Sequence, residues 1–147
     1  MIFVTVGTTA FNTLVRAVDE TKIKDKVVIQ KSDGTYVPKN YDYFEYSDRF
    51  DKYVSQAEVV ITHGGAGTLF KLLAVGKKVI GVANEERRDL HQWDILKKLS
   101  DEGYLIWCQD LSKLSDCLIK VTKTKLKKYT PPKCNIAQDI LGSIKSE

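Results

Sequence analysis

The chain reads as a single α/β domain, a Rossmann-like parallel sheet flanked by helices. Short apolar runs alternate with segments of helical period, as βα units feeding a parallel sheet require. Two of those runs end in glycine turns that lead into helices, and such sheets bind ligands at the carboxyl ends of their strands. A length of 147 residues at 43% hydrophobic content is enough for one core without disulfide staples.

Ile2 to Val6 forms a buried first strand that stops at Gly7. Phe11, Leu14, Val15 and Val18 follow at i, i+3, i+4 and i+7, the stripe of a helix. Val27–Gln30 predicts a second strand, Tyr43–Tyr46 a short third and Glu58–Thr62 a fourth, with an amphipathic segment over Asp48–Gln56. Helices are predicted near Thr68–Val75 and Asp89–Glu102, closed by Gly76 and Gly103 as C-caps. Between and after them, Lys78–Val82 and Tyr104–Trp107 read as strands, and Leu111–Val121 as a helix. Pro131-Pro132 break the chain, and Ile136, Ile140, Leu141 and Ile144 predict a terminal helix. The division expected is a nucleotide-sugar-binding unit over 1–123 and a basic linker with C-terminal helix over 124–147, packed either on the same domain or on a partner.

Several classes are excluded or disfavoured. No apolar run approaches the ~18 residues needed to cross a bilayer, and the opening strand lacks the basic flank of a signal peptide, so a cytoplasmic protein is expected. Cys108, Cys117 and Cys134 sit at no metal-ligand spacing and read as packing or surface thiols. The net charge of +4 is local: Cys117 to Gln138 holds six lysines and no acid, leaving the rest of the chain acidic on balance. Such a cluster suits nucleic acid, anionic lipid, an acidic partner or simply a solvated face; only Tyr129 is interleaved as an aromatic, so no nucleic-acid partner is expected.

Three constellations carry candidate chemistry. Gly7-Thr8-Thr9 places free backbone N–H groups and two hydroxyls where a strand meets a helix, which suits a phosphate or, equally, a structural turn with a threonine cap. His63-Gly64-Gly65-Ala66-Gly67-Thr68 follows a buried strand directly, and its glycines let the backbone approach a ligand in front of a helix N-terminus. Two such turns suggest a diphosphate. The third constellation is the polar loop from Ala83 and Asn84 through Glu85, Glu86 and Arg88 into His91-Gln92. With Leu90, Trp93, Leu96 and Leu99 as the buried stripe, Gln92 is expected to point off it toward a ligand. His91 there reads as a hydrogen-bonding residue before a base.

Residues 57–105, with the opening MIFVTVGTTAFNTLV, resemble the C-terminal donor-binding domain of glycosyltransferase family 28. Within that family the likeness is to donor-binding subunits of split transferases, both of lipid-linked oligosaccharide synthesis and of bacterial capsule and exopolysaccharide synthesis. The resemblance implies the C-terminal half of a B-type glycosyltransferase, with Gly7, Thr8 and Thr9 at the diphosphate and backbone near Tyr46 and Ser47 at the uracil. It implies His63 to Thr68 over ribose and phosphate, and Asn84, His91 and Gln92 at the sugar. The family's acid for the ribose hydroxyls is here Lys71, so either Lys71 takes a more anionic donor or Glu85 or Glu86 makes the ribose contact.

The expected activity is inverting transfer from a UDP-sugar to a polyprenyl-diphosphate-linked acceptor, a lipid-linked saccharide. No cofactor and no metal is expected, since no Asp-x-Asp motif occurs. A membrane-anchored acceptor-binding subunit is the expected partner and source of the general base, His91 and Glu85 being the candidates in this chain. It would hold the protein at the inner face of the membrane. The alternative is a nucleotide-sugar-binding subunit that regulates a partner transferase without catalysis of its own.

Overall fold

The computed structural model describes residues 1–86 and 91–130. The strands are β1 (Ile2–Thr5), β2 (Val27–Gln30), β3 (Asp42–Phe44), β4 (Val59–His63), β5 (Lys78–Val82) and β6 (Ile106–Trp107). The helices are α1 (Asn12–Glu20), α2 (Phe50–Gln56), α3 (Ala66–Ala74), α4 (His91–Asp101) and α5 (Leu114–Lys123), the last preceded by a 3-10 turn at Leu111–Lys113. All strands pair in parallel, in the order β3-β2-β1-β4-β5-β6. The chain therefore winds outward one way from β1 and then the other way from β4, which opens a crevice beyond the carboxyl ends of these two central strands.

Alternation along the strands divides the core in two, because successive side chains leave opposite faces. Ile2, Val4, Ile29, Ile61 and Ile80 pack with Leu14, Val18, Leu114 and Val121 of α1 and α5. Phe3, Val28, Val60 and Val79 pack on the other face with Val54 of α2, Leu69 and Leu72 of α3, and Leu96 and Leu99 of α4. Gly76 and Gly103 close α3 and α4 with positive φ, and the N–H groups of Lys77 and Tyr104 return to the carbonyls of Leu72 and Leu99, as helix C-caps do.

Some elements depart from the sequence reading. β3 ends at Phe44, so Tyr46 lies past the strand. α3 begins at Ala66, because helical bonding starts with Leu69 N–H donating to Gly65 O; Thr68 is inside the first turn and is no cap. On α4 the buried residues are Gln92, Leu96 and Leu99, while Trp93 is 43% exposed. The stripe is turned from the one expected, because Gln92 has buried partners for its amide and so enters the core in place of the indole. Leu90 lies outside the described residues.

After α5 the chain crosses back: Lys127 N–H donates to Gly103 O, and the Tyr129 ring packs on Phe70 and Tyr104. Residues 124–130 thus pack on the same domain. Cys134 and the expected terminal helix fall outside the described residues. Cys108 and Cys117 are free thiols. Burial and the adjacent Cys117 push Cys108 up to about 12, which keeps it an uncharged packing group. Among the described residues no helix is long and apolar enough to cross a membrane.

One carboxylate organises the β2–β3 connection. Asp19 of α1 is buried and accepts from Tyr36 Oη at 2.7 Å, Lys39 N at 2.9 Å and Asn40 N at 2.8 Å. Burial alone raises its pKa, but the N–H groups of Lys39 and Asn40, the Tyr36 hydroxyl and the charge of Lys39 outweigh it and bring the net value below that of an ordinary aspartate. A depressed folded pKa means that Asp19 contributes fully above the unfolded value of about 3.9 and loses that contribution as pH falls through the lower folded value. Acid unfolding of the wild type is expected to lose this pH-dependent component in Asp19→Asn, with a cost of about 1–3 kcal/mol at pH 7 read by urea titration.

A second expectation concerns Gly81. A Cβ there would lie 2.3 Å from Leu96 Cδ2, so α4 sits directly on the β5 backbone. Gly81→Ala should cost about 1–3 kcal/mol by overpacking, again measured by denaturant titration.

Candidate functional site

The first turn is built where β1 ends against β2. Gln30 is buried, and its amide is fully used: Oε1 accepts from Thr5 Oγ1 at 2.6 Å and Val6 N at 3.2 Å, while Nε2 donates to Gly7 O at 3.0 Å and Glu45 O at 2.8 Å. This fixes the peptide of Gly7, which needs its glycine for a φ of +71°. Thr8 and Thr9 follow at the cleft wall.

The second turn follows β4. His63 Nδ1 accepts the Gly65 N–H at 2.9 Å, which leaves the proton of a neutral ring on Nε2. A Cβ on Gly7 would come within 2.5 Å of His63 Nε2, and one on Gly65 within 2.1 Å of its Cε1. The imidazole is therefore wedged between the two turns, and both glycines exist to admit it. Gln92 Oε1 takes two buried backbone donors, Gly64 N at 3.1 Å and Asn84 N at 2.8 Å. The N–H groups of Ala66, Gly67 and Thr68 make the first turn of α3 and have no partner within the helix. A Cβ on Gly67 would meet nothing within 4 Å.

α1 differs at this point. Glu86 Oε2 accepts from Thr13 N at 2.7 Å and Thr13 Oγ1 at 2.8 Å, so a carboxylate of the β5–α4 loop already occupies its N-terminal end. Of the two helices that follow glycine turns, α3 is the one left to receive an outside anion.

Between the turns lies a cleft of about 570 Å³. Thr8, Thr9, His63, Gly64, Gly65, Ala66, Asn84, His91 and Gln92 line it, all sequence candidates. Asn84 is buried and tied at both ends, Nδ2 donating to Ala10 O at 3.2 Å and Oδ1 accepting from Glu86 N at 3.1 Å. The remaining candidates are placed elsewhere. Tyr46 and Ser47 follow the edge strand β3, with Tyr46 Oη 2.8 Å from Ser32 Oγ and Ser47 Oγ accepting from Arg49 N. Lys71 turns to α2, pairing with Asp51 at 2.9 Å above the Phe50 ring, because an exposed carboxylate and an aromatic face lie within its reach. Glu86 is hydrogen-bonded to Thr13, and Glu85 is exposed outside this cleft.

The sequence reading missed Gln30, Phe70, Asp94 and Lys98. The last three line the cleft. Asp94 and Lys98 recur three and seven residues after His91, so the helical period alone puts them on its face. Gln92 was expected to point at the sugar from the polar side of α4; it is instead buried, with its carbonyl spent on the backbone of both neighbouring turns.

Residues 1–145 match the glycosyltransferase family 28 C-terminal domain. The chain belongs to that family. It is 37% identical over 121 residues to the mouse UDP-N-acetylglucosamine transferase subunit ALG13, a match covering 72% of this chain and 10% of the relative. This chain thus spans about a tenth of that protein's length. The fold superposes on the crystal structure of Acinetobacter baumannii MurG with a TM-score of 0.69 at 18% identity, over 99% of this chain and 49% of that one. It superposes on the NMR solution structure of ALG13 with a TM-score of 0.64 at 22% identity, over 95% and 93%. The architecture is that of a B-type glycosyltransferase domain, as the sequence predicted.

The position of Gln92 makes a prediction. Gln92→Ala strands two buried N–H groups and should cost about 1–3 kcal/mol in stability. Affinities for UDP and for a UDP-sugar should fall together, measured by calorimetry; a loss confined to the sugar-bearing ligand would restore Gln92 to the sugar.

Proposed function

We propose that this chain is the donor-binding catalytic subunit of a two-component inverting glycosyltransferase, moving a sugar from a UDP-sugar to a polyprenyl-diphosphate-linked acceptor. The observation that carries the reading is the convergence of both glycine turns and the open N-terminus of α3 on one cleft, at the point where the strand order reverses. The family supports transfer chemistry, and the mouse relative's name supports UDP-N-acetylglucosamine as donor and a subunit role.

In this reading the diphosphate lies against the first turn of α3 and the hydroxyls of Thr8 and Thr9. These groups are fixed before the reaction, so charge growing on the leaving diphosphate is met without reorganisation. His91 and Lys98 add donors on the α4 side of the cleft. No divalent metal is needed in this scheme. The ribose is left to groups other than Lys71, whose ion pair with Asp51 holds it on α2. The acceptor and the base that activates its hydroxyl come from a membrane-anchored partner, which closes the cleft against water and orients the attack.

UDP is expected to bind the isolated chain with excess chelator present, and at a hundred times its dissociation constant to stabilise it by about 2.7 kcal/mol. Transfer from UDP-N-acetylglucosamine should be negligible for the chain alone and appear when the membrane-anchored partner is added. Strict magnesium dependence of UDP binding would overturn the proposed charge compensation, and robust transfer by the isolated chain would overturn the two-component scheme.

A further inference from the structure

The lysines concentrated near the end of the chain are gathered by the fold onto one face. A cleft of about 510 Å³, separate from the one between the glycine turns, brings Lys77 and Lys78 at the entry to β5 together with Lys123, Lys125, Lys127 and Lys128 at and after the end of α5. Among the described residues no acid lines it. Lys77 is spent within the domain, its Nζ donating to Ala57 O at 2.8 Å. The other five are exposed, and their ammonium groups have no hydrogen bond or ion pair among the described residues. Asp101 and Glu102 lie outside the lining, Asp101 paired with Lys97. Residues 131–147 carry two lysines against one aspartate and one glutamate, so their side chains leave the charge balance unchanged.

The helix dipole accounts for a lysine in a last turn, such as Lys123, but not for the three beyond it. The face carries aliphatic side chains as well. Val75, next to the lining residue Gly76, is 59% exposed, and Ile119, which shares its side of α5 with Thr122 and Lys123 at i+3 and i+4, is 54% exposed. The face also adjoins the first cleft. Tyr129 lines one, Phe70 lines the other, and their rings pack at 5.6 Å.

We propose that this face rests on the surface of an anionic phospholipid bilayer. Unpaired ammonium groups on flexible stems, spread over one side, match a layer of phosphate headgroups, and each gives roughly a fivefold gain in affinity near such a surface. Aliphatic side chains set among them enter the headgroup boundary, a contact that a nucleic acid or a free polyphosphate has no use for. A nucleic acid would instead need open aromatic rings, whereas Tyr104 and Tyr129 pack on each other and on Phe70. Five such lysines give half-binding at lipid concentrations on the order of 0.1–1 mM. That is too weak to anchor the chain alone, and enough to orient one that a membrane-anchored partner already holds. The orienting role rests on the two-component reading above; the lipid contact itself does not.

Flotation of the full chain with vesicles tests this. Half-binding in that range is expected with equimolar phosphatidylcholine and phosphatidylglycerol, and none with phosphatidylcholine alone. Raising NaCl from about 50 to about 300 mM should weaken it about tenfold or more. Lys123→Gln, Lys125→Gln and Lys128→Gln together should weaken it on the order of a hundredfold, while urea titration and UDP calorimetry stay as in the wild type. Val75→Ser, an exposed change, should weaken it about threefold.

No flotation with the anionic vesicles, equal flotation with the neutral ones, or undiminished flotation of the triple variant overturns the proposal. So does tighter binding, at equal anionic charge, of oligothymidylate, polyglutamate or tripolyphosphate, which would assign the face to nucleic acid, an acidic protein segment or a free polyphosphate. Vesicle binding without UDP binding would leave this face standing and remove the donor reading; UDP binding without vesicle binding would do the reverse.

Discussion

A backbone that turns at the end of a buried strand leaves N–H groups that water does not reach, and each must find an acceptor or cost the domain its desolvation. The amide oxygen of Gln92 takes two of them, from Gly64 after β4 and Asn84 after β5. Gln30 does the equivalent work at the end of β1, where its amide joins Thr5, Val6, Gly7 and Glu45. Side-chain amides thus join the end of β4 to that of β5, and the end of β1 to β2 and to the segment after β3. The wedge of His63 between Gly7 and Gly65 sets the distance between the two turns. The cleft between the two turns is the space these contacts leave.

This arrangement also decides which donors face outward. The inner N–H groups of the second turn are consumed by His63 and Gln92, and the N-terminal end of α1 by Glu86. The first turn of α3 is what remains, beside a glycine whose missing Cβ meets nothing in the protein itself. The glycines therefore differ: Gly7, Gly64 and Gly65 make room for His63 and Gln92, whereas Gly67 makes room for no atom of the described residues.

The parts legible in the sequence were those written in local periods. β5 and β2 could be placed to the residue, and the stripe Phe11, Leu14, Val15, Val18 announced α1. Glycine turns after apolar runs located the cleft for the same reason. What stayed hidden depends on partners far along the chain: nothing near Gln30 or Gln92 says that its amide will meet a backbone 28 residues away, as Gln92 meets Gly64. Ranking side chains by hydrophobicity put Trp93 in the α4 stripe and Gln92 outside it, and the satisfied amide reversed that order. Lys71 likewise took its place from Asp51 and Phe50 on another helix, which no spacing along its own helix reveals.

The strand order has a consequence for how the chain folds. β1, which precedes the other five strands along this chain, is central, with Ile2 opposite Val27 on one side and Val59 on the other. The β1–β2 pair closes the shorter loop and can form early, but β1 keeps one edge unpaired until β4 arrives, and parallel pairing across such separations is slow. Both rims of the cleft hang on that second pairing. The cleft is therefore completed late in folding, and a ligand that recognises it acts on a chain whose central sheet is already complete.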